Sequence, residues 1–286
     1  MNDALDGLRI GFLCNQHPTA GRSGSLFERL APLLRERGAR VEAVHGEDGS
    51  FRLNERPSWD LTVLKSESAA ALHLAAAAEA HGVPSLNSAE ATRVAEDRLA
   101  SAAILRRAGL PVPAFCFAYL GPNRARSIRA RFGSWVNRTL ILKPACGHQG
   151  AGLWTAEAGE IEELAVRMPS GPYLVMEKVP HEGDDLKVYV AGGWMAAIER
   201  PFPARGLQEK LGRPADVPEE VAAAAREAGR LLGLTCYGCD FVRGPEGWSL
   251  VDTNAFPGYK GLEGAPEALA AEIERAAEER AMEEVL

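Results

Sequence analysis

Two apolar stretches late in the chain each carry an acidic residue, and a short turn sequence separates them. The stretch from Cys236 to Gly244 contains Asp240, and the stretch from Trp248 to Asn254 contains Asp252. Pro245-Glu246-Gly247 between them is typical of a β-hairpin loop and predicts two paired antiparallel strands. Facing carboxylates repel each other, and more so when buried, so this hairpin constrains the fold strongly.

The hairpin also predicts a cluster of oxygen ligands. A three-residue loop would pair Arg243 with Ser249 and Asp240 with Asp252. Paired residues share a face of a sheet, as do residues two apart, so Asn254 is expected beside the two acids. Three hard oxygen donors favour Mg²⁺ or Mn²⁺ over zinc, and a dication would relieve the repulsion. The alternative is two solvated acids near a hairpin, and a two-residue shift in register would separate them.

Composition excludes several classes of protein. The chain has 286 residues, of which 46% are hydrophobic and 25% charged, as expected for a soluble globular protein with a sizeable core. A net charge of -7 disfavours a nucleic-acid-binding surface. No apolar run approaches the roughly 18 residues of a membrane span, and the N-terminal residues do not resemble a signal peptide. The five scattered cysteines predict a cytoplasmic protein without disulfides, in which Cys236 and Cys239 are packing residues.

The order of the predicted elements indicates an α/β chain with three parts. A β-α-β-β-α-β pattern at the N-terminus predicts a small open sheet with covering helices. One helix from Ala89 to Gly109 follows, capped by Ser88, and strands follow from about Phe115 to Pro180. The third part contains a hairpin turning at Gly192-Gly193, a loop over 202–217, a helix, the acidic hairpin and a final helix. The domain boundaries predicted from this order are 1–110, 111–182 and 183–286.

The middle part contains a candidate phosphate-binding element. Lys143 ends an apolar strand and precedes a loop that contains Gly147, Gly150 and Gly152. Glycines allow backbone N–H groups to approach phosphate oxygens, and the lysine adds a point charge. A plain hairpin would explain the same glycines.

Further charged residues follow the next strand. The strand ending in Glu177-Lys178-Val179 can present backbone groups and a carboxylate to an adenine edge. Either Asp184 or Asp185 can accept hydrogen bonds from ribose hydroxyls. Lys187 and Arg200, on neighbouring strands, can offset phosphate charge. Salt bridges on a solvated sheet are the alternative explanation of these charges.

Taken in order, these stretches resemble the ATP-grasp superfamily. The matching pieces extend from about Pro84 to Gly261 and include "LILKP", "LVMEKV", "DLKVYVAG", "AAIERP", "GCDFV" and "LVDTNAFPG". The ribosomal-protein glutamate ligases and related carboxylate–amine ligases are the most similar groups, and some stretches also resemble the inositol-trisphosphate kinases. The resemblance implies an N-terminal open parallel-sheet domain and two α+β lobes that enclose ATP.

The resemblance also implies residue roles. Arg98 stands where a lysine is usual in the superfamily, and Asp252 stands where many of these ligases have Glu. Arg200 and Lys187 match positions near the transferring phosphoryl group, and Asp185 matches the ribose acid. The remaining nucleotide positions are Arg98, Lys143, Gly147, Gly150, Gly152, Glu177, Lys178 and Val179, and the metal positions, for two Mg²⁺ or Mn²⁺ ions, are Asp240, Asp252 and Asn254.

The implied activity is ATP-dependent joining of a small-molecule carboxylate to an amine through an acyl-phosphate. Lys65, His17 and Lys260 are candidate substrate residues, and a homodimer is the default assembly. An inositol-phosphate kinase would use the same ATP site but would need more basic residues in the N-terminal cleft. A nucleotide-binding regulator without turnover is the third possibility, and the retained metal ligands disfavour it.

Overall fold

A computed structural model describes residues 5–14, 25–122, 135, 138–146, 152–181, 183–201 and 207–283. Within these ranges the strands form three sheets, with helices packed against them. The first sheet lies within residues 9–86, the second within 115–177 and the third within 184–255. The predicted α/β class with α+β lobes is confirmed.

The N-terminal sheet is parallel and has the order β2-β1-β3-β4 in the described part of the chain. The carboxyl ends of all its strands therefore lie at one edge, which is where ligands bind in open α/β sheets. The Ala-rich helix α2 buries Ala71, Leu74, Ala75 and Ala78 within this lobe. The elements are β1 (Arg9–Cys14), α1 (Leu26–Glu36), β2 (Arg40–His45), β3 (Leu61–Leu64), α2 (Ala69–Ala80) and β4 (Ser85–Leu86).

The predicted single helix from Ala89 to Gly109 is wrong, because the chain forms two helices there. These are α3 (Ala89–Glu96) and α4 (Arg98–Arg107). Asp97 between them has an extended backbone, and its carboxylate accepts hydrogen bonds from the Leu99 and Ala100 N–H groups at 3.0 and 3.1 Å. An aspartate that caps the following turn competes with helix continuation. The break places Arg98 at the first position of a new helix.

The central sheet is antiparallel and has the order β5-β8-β6-β7 among the described residues. Its elements are β5 (Phe115–Leu120), β6 (Thr139–Pro144), β7 (Trp154–Glu157), α5 (Ile161–Arg167) and β8 (Gly171–Glu177). Lys143 therefore lies near the end of an inner strand of the sheet, where it pairs with Leu174 of β8.

The C-terminal sheet has the order β11-β10-β9-β12-β13 within the described ranges. The hairpin predicted at Gly192-Gly193 is confirmed, since Ala191 pairs with Trp194. The predicted loop over 202–217 is wrong in part, because α6 and β11 lie there. The elements are β9 (Asp184–Ala191), β10 (Trp194–Pro201), α6 (Leu207–Leu211), β11 (Arg213–Ala215), α7 (Glu219–Leu232), β12 (Cys236–Gly244), β13 (Gly247–Ala255) and α8 (Ala265–Glu283).

The register of the acidic hairpin differs from the prediction near its turn. Arg243 pairs with Trp248 and not with Ser249, because Gly244 pairs with Gly247 and leaves a two-residue loop. A β-bulge at Val251 then inserts one residue into β13, since Phe241 pairs with Leu250 while Asp240 pairs with Asp252. The predicted pairing of Asp240 with Asp252 is therefore confirmed, but the bulge produces it and the loop length does not.

The first and third parts are joined by a buried side chain as well as by packing. The Asn87 amide donates to the Cys236 carbonyl at 2.7 Å, and its oxygen accepts from the N–H groups of Thr235 and Cys236 at 2.8 and 2.9 Å. Helices α1 and α8 pack in the same core cluster, where Leu34 and Ile273 are fully buried. Asn87 thereby fixes the start of β12, the strand that carries Asp240.

We expect Asn87→Ala to lower the free energy of unfolding by about 2–3 kcal/mol, because it leaves buried backbone groups of Thr235 and Cys236 without partners. Urea unfolding monitored by circular dichroism measures this change. Asn54→Ala, at an exposed position, is the matched control and should change stability little. Equal stability of the two variants would contradict a structural role for the Asn87 amide.

Candidate active site

Asp240, Asp252 and Asn254 lie on one face of the C-terminal sheet. Asp240 in β12 pairs directly with Asp252 in β13, and Asn254 pairs with Gly238 two positions further along. Asp240 is buried, whereas Asp252 and Asn254 are half-buried. The structure therefore brings the predicted metal ligands together on neighbouring strands, as the pleat of a sheet requires.

Two basic residues compensate the charge of Asp240. Lys187 donates to one Asp240 carboxylate oxygen at 2.7 Å, and the Arg200 guanidinium lies 3.4 Å from the other. Burial alone would raise the pKa of Asp240, but these two cations more than offset it and hold the pKa below the ordinary value. Asp240 in turn raises the pKa of Lys187 against the effect of burial. Both groups are thus charged around neutral pH.

Asp185 and Arg200 form a second pair on the same face. They pair directly across β9 and β10, and Arg200 donates from Nε and Nη2 to both Asp185 oxygens at 3.1 to 3.3 Å. Burial raises the pKa of Asp185, and Arg200 opposes that shift. The resemblance assigns Asp185 to a ribose. In the structure its carboxylate is instead occupied by Arg200.

Arg98 and Lys143 connect the central sheet to the metal-ligand strand. Lys143 donates to the Val251 carbonyl, the residue of the β-bulge, at 2.8 Å. Arg98 donates to the Pro144 carbonyl at 2.9 Å, and its Nε lies 3.7 Å from an Asp252 oxygen. Arg98 therefore lies beside Asp252 and offsets its charge, and Lys143 is held at the backbone of the preceding residue.

The strand end Glu177-Lys178-Val179, which we call the adenine hinge because it is predicted to bind the base, borders the same region. The N–H groups of Glu177 and Lys178 donate to Ala114 and Thr139 at 2.8 and 2.9 Å, and the Glu177 carboxylate pairs with Arg138. A Cβ atom at Gly244 would lie only 2.6 Å from the Val179 side chain. The hinge therefore packs against the acidic hairpin, and glycine is required for that close approach.

An apolar crevice lies between the central sheet and β13. Leu174 and Met176 from β8 face Leu250 across it, and Arg98 and Asp252 also line it. The crevice has a volume of only about 20 Å³, enough for a water molecule, so it marks where β8 and β13 pack together next to Arg98 and Asp252.

Some predicted residues lie outside the described ranges. Gly147, Gly150 and His17 are among them. Gly152 is described and has a φ of 83°, and a Cβ atom there would lie 2.8 Å from the Trp154 ring. Gly152 is thus required by the backbone and by packing at this turn.

Lys65 and Lys260 belong to a mixed-charge cluster at the carboxyl edge of the N-terminal sheet. Lys65 directly follows β3, and burial lowers its pKa, while Glu67, Cys14 and Glu96 oppose the shift. The positive charge of Lys260, in the loop after β13, lowers the pKa of Lys65 further. Burial of the Cys14 thiol raises its pKa to about 12, so this cysteine is not a thiolate near neutral pH.

Two acids of this cluster, Glu67 and Glu96, were not predicted from the sequence. Their side chains hydrogen-bond to each other. Burial is the larger cause and the negative charge of Glu67 the next, and together they raise the pKa of Glu96 to about 8. Arg98 opposes this shift and Asp252 adds to it, so the cluster adjoins the metal-ligand strand. The available signal was positional, since Glu67 lies two residues after Lys65 and Glu96 two residues before Arg98.

Other classes of site are not found in the described part of the chain. No group of three or more His, Cys, Asp or Glu side chains there is placed to hold a metal ion, so the oxygen set consists of two acids and an amide. Cys236 and Cys239 are free thiols buried in β12, which confirms their expected packing role. No described helix is both long enough and apolar enough to cross a membrane.

Comparisons with known proteins find similar ligases, although no protein-family model matches the chain. The chain is 30% identical over 197 residues to a probable alpha-L-glutamate ligase of Thioalkalivibrio sulfidiphilus, covering 65% of this chain and 64% of the relative. A probable alpha-L-glutamate ligase of Parasynechococcus marenigrum is 31% identical over 198 residues, covering 65% and 41%. One of Klebsiella pneumoniae is 28% identical over 268 residues, covering 85% and 88%. The chain thus spans less than two thirds of the first two relatives.

Solved structures show a shared fold. A RimK domain protein ATP-grasp from Sphaerobacter thermophilus superposes with a TM-score of 0.72 at 22% identity, covering 93% of this chain and 98% of that one. The ATP-grasp ligase PsnB, complexed with a minimal precursor, Mg and ADP, superposes with a TM-score of 0.63 at 20% identity, covering 92% and 97%.

We expect Glu96→Gln to stabilise the protein at about pH 9 and to have little effect at about pH 5. The folded-state pKa of Glu96, about 8, lies above the ordinary value of 4.5 for a glutamate, so folding favours the protonated form. Wild-type stability therefore falls as the pH rises from 4.5 through about 8, and glutamine removes that loss. Thermal unfolding at both pH values measures the difference.

The control is Glu90→Gln, at an exposed position in the same helix where Glu90 pairs with Arg93. This variant should change the melting temperature similarly at both pH values. A Glu96→Gln variant that is destabilised most at high pH would show that the ionised form of Glu96 is the stable one.

Proposed function

We propose that this chain is a member of the ATP-grasp superfamily and an ATP-dependent carboxylate–amine ligase that forms a C–N bond. The observation that carries the proposal is the placement of Asp240, Asp252 and Asn254 on one sheet face, with Arg98 beside Asp252 and Lys143 bound to the Val251 carbonyl. Similarity to probable alpha-L-glutamate ligases supports it. The proposed lobes, 111–182 and 183–286, would enclose ATP, with domain 1–110 on the substrate side.

The donor set fits magnesium, because two carboxylates and an amide are hard oxygen ligands and leave coordination positions for water and phosphate. Asp240, Asp252 and Asn254 would hold two Mg²⁺ or Mn²⁺ ions. When bound, these ions would offset negative charge on the phosphates. The PsnB complex, which contains Mg and ADP, supports this cofactor choice.

The basic residues would act on the phosphates. Lys143 comes from the central lobe and Arg98 from the start of α4, while Lys187 and Arg200 lie beside Asp240 in the C-terminal sheet. The resemblance places Lys187 and Arg200 near the phosphoryl group that moves to the substrate carboxylate. Cations fixed in a partly buried site stabilise developing negative charge without further reorganisation. The loop with Gly147, Gly150 and Gly152 would cover the phosphates and exclude water.

The base would lie against the strand end formed by Glu177, Lys178 and Val179, whose backbone groups would bind its edge and orient it. The phosphates would then extend toward Arg98 and Asp252, which lie 3.7 Å apart.

The substrates would occupy the cleft next to the N-terminal sheet. Lys65 and Lys260 would bind a carboxylate, and His17, three residues after β1 in the sequence, is a further candidate. The amine would attack the acyl-phosphate carbonyl, forming the C–N bond as the C–O bond to phosphate breaks. We propose small-molecule or peptide carboxylates and amines as substrates. The proposed homodimer would need an interface other than the inner face of α2, which is buried within its own lobe.

The cluster around Lys65 argues against the kinase alternative. A highly anionic inositol phosphate needs many cations, whereas Lys65 lies beside the carboxyl groups of Glu67 and Glu96. The carboxyl group of Glu67 next to Lys65 suits a substrate that carries an ammonium group. The retained donor set argues against a regulator without turnover.

One assay separates the three functions. ADP release is followed with pools of amino acids and peptides, and separately with inositol phosphates. Turnover that depends on an added amine supports ligation, turnover with inositol phosphate supports a kinase, and nucleotide binding without turnover supports a regulator.

We expect Asp252→Ala to lower kcat for ADP release at least about 100-fold while leaving the fold intact, because a metal ligand is lost. Circular dichroism and thermal unfolding verify the fold. The control is Glu246→Gln in the exposed hairpin loop, which should retain wild-type turnover. Unchanged turnover in Asp252→Ala would remove the metal assignment.

We expect Lys65→Met to raise the KM of a substrate carboxylate or amino acid about tenfold, with the KM of ATP unchanged, because one charge-assisted contact is lost. Steady-state kinetics with each substrate varied in turn measure the two constants. Arg52→Met, on the exposed surface of the same lobe, is the control. A rise in the KM of ATP alone would place Lys65 on the nucleotide side.

A further inference from the structure

The geometry points to Asp185 as a positioning residue that orients Arg200, with no role in binding the ribose of ATP. The resemblance assigns the ribose to this acid, so the inference changes the specificity expected of the nucleotide site. It rests on the proposed function, because it requires that ATP binds beside Arg200.

The contacts of Asp185 leave little room for a ribose. Both of its oxygens accept hydrogen bonds from Arg200, at 3.1, 3.3 and 3.1 Å. The Asp185 side chain is 3% exposed, and the pair lies directly opposite in the register of β9 and β10. Breaking this pair to reach a sugar would leave a buried carboxylate without its cation, which is strongly unfavourable.

The same contacts fix the orientation of Arg200. Nε and Nη2 face Asp185, and Nη2 also lies 3.4 Å from an Asp240 oxygen. The guanidinium is planar, so committing this edge sets the direction of its remaining edge, which carries Nη1. A cation whose direction is already set binds a phosphate without losing further side-chain freedom.

Charge balance explains why Arg200 needs a partner of its own. This sheet face carries two acids and two cations, namely Asp185, Asp240, Lys187 and Arg200. If Asp240 binds a metal ion, its contact with Arg200 weakens, and Asp185 is the acid that still holds the guanidinium. Arg200 would thus stay in place when both metal and phosphate are bound.

The test measures nucleotide binding by isothermal titration calorimetry in the presence of Mg²⁺. The probes are ADP, a non-hydrolysable triphosphate analogue, 2′-deoxyADP and 3′-deoxyADP. We expect Asp185→Asn to weaken binding of the triphosphate analogue about tenfold more than binding of ADP, because Arg200 loses its orientation. Arg200→Lys should show a similar loss, and the double variant should be no worse than either. The ratio of ADP to deoxyADP affinity should stay at its wild-type value.

The matched control is Glu199→Gln, one residue from Arg200 on the opposite sheet face, where Glu199 pairs with Arg213 at 2.7 Å. It should leave every affinity unchanged. If Asp185→Asn does not fold, Asp185→Glu replaces it, because a longer carboxylate displaces the guanidinium while keeping the charge. The expected result is then a smaller loss confined to the triphosphate.

Two results would overturn the inference. One is an Asp185 variant that no longer binds ADP more tightly than a deoxyADP, while its affinity for the triphosphate analogue relative to ADP stays at the wild-type value. The other is an Asp185 variant whose nucleotide affinities equal those of the Glu199→Gln control. Absence of ADP binding in the wild type would overturn the proposed function as well. Normal nucleotide binding without ligation would count against the ligase activity alone.

Discussion

The opposed carboxylates of Asp240 and Asp252 are the constraint on which the rest of the site depends. Two acids facing each other on neighbouring, partly buried strands require positive charge nearby, and the structure supplies it from three directions. Lys187 and Arg200 approach Asp240 within the same sheet, while Arg98 approaches Asp252 from the start of α4. Each cation is held in place by its own element, Lys187 by β9, Arg200 by β10 and Arg98 by α4.

This arrangement depends on irregular features of the backbone. The bulge at Val251 puts Asp252 opposite Asp240, and its carbonyl is also the acceptor for Lys143. The helix break at Asp97 aims Arg98 at Pro144 and Asp252. Asn87 fixes the start of β12 through three hydrogen bonds to backbone groups. A regular hairpin and a continuous helix would place the same side chains elsewhere, so these deviations determine the site.

Sequence alone predicted the class of fold and the facing acids, because both follow from the periodicity and order of apolar segments. It predicted the pairing of Asp240 with Asp252 for the wrong reason, since a shorter loop and a bulge compensate each other in register. It missed the break at Asp97, where one capping side chain outweighs the helical pattern on both sides. The pair of Glu67 and Glu96 was also missed, because it joins elements far apart in the chain, and no local pattern encodes such a contact.

The charges of the site are nearly balanced before any ligand binds. The proposed phosphate-binding cations are the groups that already neutralise the proposed metal ligands, as the Lys187–Asp240 and Arg98–Asp252 contacts show. Binding of a metal ion and a polyphosphate would therefore exchange partners: the acids turn to the metal, and the basic side chains turn to phosphate oxygens. Such an exchange adds no uncompensated charge to a partly buried region, where uncompensated charge is most costly. It also predicts that metal and nucleotide bind cooperatively, because each frees the partner that the other needs.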